Sequence, residues 1–160
     1  MGWAEQYEKD TCAIAAALSV VGDPWTLLIL RDAFLGVRRF EDFRRRLGVA
    51  RSVLSARLKK LVEYGILEIG SDEAPGERGR YLMTARGADL FPILLSLKAW
   101  GDVHLYGRGA EPHAATHACG HHIDPRFTCA ACGEAIEYAG LRVNTRPAKT
   151  VGEALAAARG

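Results

Sequence analysis

The chain has 160 residues, 49% of them apolar and 25% charged, with a formal net charge of +2. That length holds one domain, or one with a small appendage, and the composition is that of a folded soluble protein, not a disordered or fibrous one. No apolar run approaches the ~20 residues of a bilayer-spanning helix, and the N-terminal MGWAEQYEKDTC lacks a basic region followed by an apolar one, so a cytoplasmic location without a membrane partner is expected.

The first predicted element is a mostly apolar helix over Asp10–Val21, with Ile14, Leu18 and Val21 at helical spacing. Gly22 interrupts it. Asp23 then supplies an N-cap and Pro24 the first helical position of PWTLLILRDAFLG, a core helix ending at Gly36. Next comes RRFEDFRRRLG, a short helix with Phe40, Phe43 and Leu47 inward and its arginines outward, closed by Gly48. After a tight turn another helix runs from Arg51 to Tyr64, and two helices split by so short a turn form a helix-turn-helix signature.

In that last helix Leu54, Leu58, Leu61 and Val62 form one apolar stripe. Opposite lie Ser52, Ala56, Lys59 and Lys60, with Arg51 and Ser55 at the margins near the N-terminal end. Such an end reaches base edges when a helix lies in a DNA major groove: Arg pairs bidentately with guanine, and Ser reads base or phosphate. Arg57 lies on the other flank, where it either reaches a phosphate or is pinned to an acid on a neighbouring helix. The charge distribution agrees with a phosphate-binding face. From Arg31 to Lys60 there are ten Lys/Arg against three acids, a local net of +7 in a chain of +2.

Gly65 caps the helix. Ile66–Ile69 and Arg80–Met83 are predicted strands joined by GSDEAPGERG, with Arg78 and Arg80 at the return, where a wing touches backbone phosphates or the minor groove. Asp72, Glu73 and Glu77 share the tip, so a plain surface hairpin is the alternative. Thr84 caps a final helix, ARGADLFPILLSLKAWGDVHLYG, more apolar than a monomer's covering helix needs to be. Self-association through it and the N-terminal segment is expected.

After Gly107 the composition changes. RGAEPHAAT has linker character, and the stretch that follows crowds Cys119, Cys129 and Cys132 together with His117, His121 and His122. Cys-x-x-Cys-Gly is the form in which two thiolates grip one tetrahedral zinc. Cys119, Cys129, Cys132 and His122 are the candidate ligands of a structural zinc, with His117 or His121 as alternative fourth ligands; a redox pair or a merely packed appendage are the other readings. So small a segment lacks a core of its own, which is where metal contributes folding energy. A zinc deaminase needs a glutamate two residues after its His; Asp124 stands there after His122, so no enzyme is expected.

The segments CAIAAALSVVGDPWTLLILRD, RRFEDF, SVLSARLKKLVEYGIL and YLMTARGADL, in that order over roughly residues 10–107, resemble the HxlR family of MarR-like winged-helix bacterial transcription regulators. The resemblance implies a homodimer joined by its N-terminal and long C-terminal helices, with Trp25 and Leu30 in the core, Arg39 and Phe40 opening the scaffold helix, and Arg51, Ser52 and Ser55 facing DNA. Cys12 matches a position used by some members as a thiol sensor of oxidants, against the plain reading of a buried structural cysteine. Two departures stand out: Ala13 follows that cysteine where Pro is common, and Ala50 occupies a helix-capping position where Ser is common.

Together these readings predict a mainly α fold with a small β-hairpin wing. A winged helix-turn-helix domain over 1–107 is followed by a linker over 108–116, a zinc-ribbon-like segment over 117–148 and a short tail over 149–160. The expected function is a dimeric, sequence-specific DNA-binding regulator, acting as a repressor, with double-stranded DNA as partner and a redox or small-molecule effector. Its DNA-contacting set is Arg39, Arg51, Ser52, Ser55, Arg57, Lys59, Arg78 and Arg80. Trp100 or Trp25 would line an effector cavity, unless they are plain core. The competing function is a winged-helix dimerisation scaffold whose Cys/His tail recruits a protein.

Overall fold

A computed structural model describes residues 7–70, 79–107, 109–142, 144 and 146–159. Two compact units form: Met1–Phe91 with Pro147–Gly160, and Pro92–Arg146. In the first, α1 (Ala13–Val21) begins at Cys12, whose sulfur accepts the Ala15 amide, and α2 (Pro24–Phe34) begins at Asp23, whose carboxylate accepts the amides of Trp25 and Thr26. The Asp23–Pro24 start signal therefore operates as predicted. Then come α3 (Phe40–Leu47) and α4 (Arg51–Glu63), separated by Gly48 in the left-handed conformation at φ 63°. That conformation is strained for any residue with a Cβ, and it makes the turn between the helices abrupt.

Ile29, Leu30, Ala33, Phe43, Leu54, Leu58 and Leu61 are fully buried, so α2 is the spine against which α3 and α4 pack their inner faces. Strands β1 (Leu67–Gly70) and β2 (Arg80–Met83) pair antiparallel, Leu67 opposite Met83 and Gly70 opposite Arg80. The Tyr81 amide donates to the Arg38 carbonyl, and its ring meets Phe43 edge-on, seating the hairpin beside α3. The hairpin tip, with Arg78 and the acids Asp72, Glu73 and Glu77, lies outside the described residues.

Two expectations are corrected, and α1 shows which of its apolar residues turn inward. Trp25 is 37% exposed, not core, because α2 turns Thr26, Ile29, Leu30 and Ala33 inward. On α1 the inward residues are Ala15 and Val21, while Ile14 and Leu18 face out. The single last helix is broken into α5 (Ala85–Ala88) and α6 (Phe91–Gly101), followed by a π-helical turn over Asp102–Tyr106. Pro92 explains the break: it has no amide to donate to the turn before it, and its ring crowds that turn. Thr84 caps α5 as expected, through the Gly87 amide.

The C-terminal residues hold a further element. In α7 (Val151–Ala158) Thr150 and Glu153 form a reciprocal capping box, and Val151 is buried. The amides of Val151 and Gly152 donate to the Asp10 and Glu8 carbonyls, and Arg159 lies over the Tyr64 ring while its Nε donates to the hydroxyl. The tail is thus part of the first unit, packed on α1 and on the end of α4. Among the described residues no single helix is long and apolar enough to cross a membrane.

Candidate nucleic-acid interface

Helix α4 separates two chemistries. Leu54, Leu58 and Leu61 lock its inner face, while Arg51, Ser52, Ser55 and Lys59 are exposed on the outer one. Leu54, Leu58 and Leu61 are buried as the predicted stripe required; Val62 is half-buried at its margin. Ala50 precedes the helix with no side-chain cap, so the first amides of α4 are not claimed by one. Free helix amides and a basic first turn together suit an anionic partner.

The arginines are held in place. Arg51 pairs with Glu41 of α3 at 2.5 Å and lies 5.1 Å from the centre of the Phe40 ring. Glu41 also takes Arg44 at 2.9 Å. Partial desolvation nudges the Glu41 carboxyl up, but the hydrogen bonds and charges of Arg44 and Arg51 outweigh it and hold the group below its ordinary value. Arg45 pairs with Asp42 at 2.8 Å, and Lys59 sits 3.7 Å from Glu63. Such exposed pairs are weak in water, so the cations exchange carboxylate for phosphate easily.

Between the start of α3 and the base of the wing runs an open cleft of about 560 Å³, lined by Arg38, Arg39, Arg45, Arg46, Arg80 and Asp42 among others. Arg38 is turned back onto the Ala33 and Val37 carbonyls, and Arg46 reaches the buried Asp32 carboxylate at 3.3 Å. Arg39 and Arg80, both exposed, line the cleft. The cleft brings in Arg45 and Arg46, which the sequence reading counted in the basic region but left out of the DNA-contacting set. Their signal was present in the RRxxxxRRR spacing, which puts the arginines of one helix turn beside those preceding it.

Arg57 belongs elsewhere. Its guanidinium meets Asp23, the N-cap of α2, at 2.8 Å, with both side chains about one-third exposed at 32%. Of the two roles open from sequence, the structure places it in the pinned one. Lys60 also leaves the outer face: its Nζ donates to the Ser19 carbonyl at 2.6 Å, and burial lowers its pKa.

In the second unit two tight turns carry the Cys/His cluster. Thr116 bridges His122 and Thr128 bridges Ala135, each pair closing a short hairpin. Gly120 and Gly133, at φ 85° and 76°, form the bends. His117 Nδ1 lies 3.1 Å from the Cys119 sulfur. In the other turn the Cys132 and Ala131 amides and the Cys132 thiol hold the Cys129 thiol below its ordinary value. His122 faces the Glu111 carboxylate at 3.3 Å instead, and His121 is exposed. All four cysteines are free thiols, and among the described residues no three His, Cys, Asp or Glu side chains converge on one point. Cys12 is half-buried at the start of α1. Trp100 is exposed and stacks, tilted, on His104 at 5.3 Å.

A family model described as HxlR-like helix-turn-helix matches residues 20–108. An uncharacterized HTH-type transcriptional regulator of Mycobacterium tuberculosis is 45% identical over 125 residues, covering 78% of this chain and 79% of its own length. The crystal structure of PA1607, a proposed transcription factor, superposes with a TM-score of 0.78 at 30% identity, covering 88% of this chain and 99% of that one. The redox regulator HypR in its reduced form gives 0.53 at 27% identity, over 57% of this chain and 91% of that one.

Proposed function

The chain belongs to the HxlR-like helix-turn-helix family, a family of DNA-binding transcription regulators and not of enzymes, and from that premise we propose that it is a homodimeric repressor reading an inverted repeat. In this reading α4 enters the major groove, with Arg51, Ser52 and Ser55 at base edges and Lys59 on the backbone. Arg39, Arg45, Arg78 and Arg80 take phosphates on either side. The observation that carries it is the division of α4 into a fully buried leucine stripe and an exposed basic and hydroxyl face, set beside the arginine-lined cleft. A segment that served only packing would have no reason to carry the local net charge of +7 found over residues 31–60, with Arg51 and Lys59 of α4 exposed within it.

The dimer is supported by apolar side chains left in solvent: Ile14, Leu18 and Trp25 on α1 and α2, and Ile93, Leu97 and Trp100 along α6. Those three on α6 recur at helical spacing and form the stripe of a helix that lacks its partner. Two copies would present two α4 helices to half-sites about one DNA turn apart. The effector is an oxidant acting at Cys12, in keeping with the likeness to the redox regulator HypR: oxidation of that sulfur would remove the cap it gives the Ala15 amide.

Selection of bound sequences from a random duplex library at physiological salt tests the reading. An enriched inverted repeat, lost in the Arg51→Ala/Ser55→Ala double variant, is expected. A folded, dimeric protein that enriches nothing in either the reduced or the oxidised state would overturn it, and unchanged affinity of peroxide-treated protein would remove the oxidant from it.

A further inference from the structure

The unit Pro92–Arg146 presents a problem of stability. Among its described residues none is buried, and Phe127, Ile136, Tyr138 and Leu141 are all more than half exposed. Apolar burial cannot hold such a segment, and its thiols are not joined as disulfides. Its backbone is nevertheless specific: two hairpins, each closed by one bridge and bent at a left-handed glycine, with the His117 amide donating to the His121 carbonyl and the Cys129 amide to that of Glu134.

Each hairpin presents a pair of donors soft enough for a borderline metal. His117 Nδ1 and Cys119 Sγ lie 3.1 Å apart in the first. In the second the Gly133 amide donates to the Cys129 carbonyl at 2.7 Å, closing the Cys-x-x-Cys-Gly turn in which two thiolates grip one ion. We propose that His117, Cys119, Cys129 and Cys132 form a tetrahedral Cys₃His site for a structural Zn²⁺ that clasps the two hairpins together. His122 is outside the set because its imidazole faces Glu111 at 3.3 Å and its backbone is the strand partner of Thr116. The two donor pairs do not already converge, so the ion must draw one hairpin onto the other, and the coreless unit between them offers little resistance. Binding releases three thiol protons to solvent and leaves a complex of net charge −1, since three thiolates meet one Zn²⁺ and a neutral imidazole.

The full chain, produced with zinc in the medium and purified without metal-affinity resin, is expected to carry about one zinc per chain. His117→Ala, Cys119→Ser, Cys129→Ser and Cys132→Ser should each lower that content roughly tenfold or more, while His122→Ala leaves it intact. Co²⁺ added to the chelated wild-type chain should give the visible bands of a tetrahedral ion and a near-ultraviolet thiolate charge-transfer band sized for three sulfurs. That readout needs no variant to fold and no DNA, so it stands or falls apart from the regulator reading. A wild-type chain without stoichiometric zinc and with octahedral cobalt overturns the site. A Cys129–Cys132 disulfide in the protein as isolated under reducing conditions does the same. Zinc lost in His122→Ala but kept in His117→Ala overturns the ligand assignment.

Discussion

Replacement of Arg57 by Ala separates a structural role from a DNA contact at the one position where sequence left both open. Asp23 uses one carboxylate oxygen to cap α2 through the Trp25 and Thr26 amides, at 3.0 and 3.3 Å, and the other to accept Arg57 at 2.8 Å. With both side chains one-third exposed, the pair lies between surface bridges worth under about 1 kcal/mol and buried ones whose breaking costs about 3–5 kcal/mol. Arg57→Ala should therefore cost about 1 kcal/mol, and Asp23→Ala about 2 kcal/mol, because the latter also removes a cap worth about 1 kcal/mol. In a double-mutant cycle by urea unfolding the two should show a coupling of about 1 kcal/mol. The second readout is the dependence of DNA affinity on salt. A phosphate contact contributes a slope of about −0.9 per ion, so Arg57→Ala should leave the slope unchanged while Arg51→Ala and Lys59→Ala flatten it. Zero coupling to Asp23, together with a slope reduced by about one in Arg57→Ala, would refute the pinned assignment.

Three further outcomes follow from the same geometry. Ala50→Ser supplies the missing cap of α4, its hydroxyl accepting from the Ser52 or Val53 amide, and should stabilise the protein by about 1 kcal/mol in thermal or urea unfolding. Leu58→Ala, at a fully buried position between α2 and α4, should cost about 3 kcal/mol and lower DNA affinity only through the folded fraction. Glu41→Gln frees Arg51 and Arg44 from their carboxylate and should raise DNA affinity about two- to fivefold at neutral pH. Because the folded state holds that carboxyl below its ordinary value, its pairing contributes in full above the unfolded pKa and is lost as pH falls through the lower folded one. The stability gap between wild type and Glu41→Gln should accordingly close on acidification, as followed by unfolding at a series of pH values.

The parts of this molecule legible in its sequence are those where one residue type has one local use. Asp23 before Pro24, Gly48 at the helix turn and the leucines of α4 each fulfilled the local rule that predicted them. The side of a helix that faces its own core was harder. Ile14 and Leu18 of α1, at helical spacing, and Trp25 of α2 face out, because apolar character and periodicity report that a helix has an apolar face without saying which neighbour covers it. The break before α6 was written in Pro92, but the apolar run around it read as continuous. Helix α7 was missed as a packed element since its partners, Asp10, Tyr64 and Arg86, are 72 to 141 residues away in the chain. In the arginine face, composition located the region, while the choice between Arg57 pinned and Arg51 available needed the position of Asp23 in space.

Those long-range ties also give α4 its mechanical setting. Phe40 and Glu41 of α3 steady its first turn through Arg51. Asp23 at the head of α2 fixes its middle through Arg57. Its far end is tied to α1 by the bond from Lys60 to the Ser19 carbonyl, and to α7 by Arg86, which joins the Tyr64 and Ala158 carbonyls. Helix α1 is the element that carries Cys12 at its cap and leaves Ile14 and Leu18 in solvent. A thiol modification at one end of α1, or a second subunit on its outer face, therefore acts on a helix bonded directly to the end of α4. The Lys60 bond is suited to transmit such a shift, since a half-buried ammonium that loses its carbonyl is left poorly solvated. The candidate sensing cysteine and the candidate reading helix are separated by two turns of α1 and one hydrogen bond.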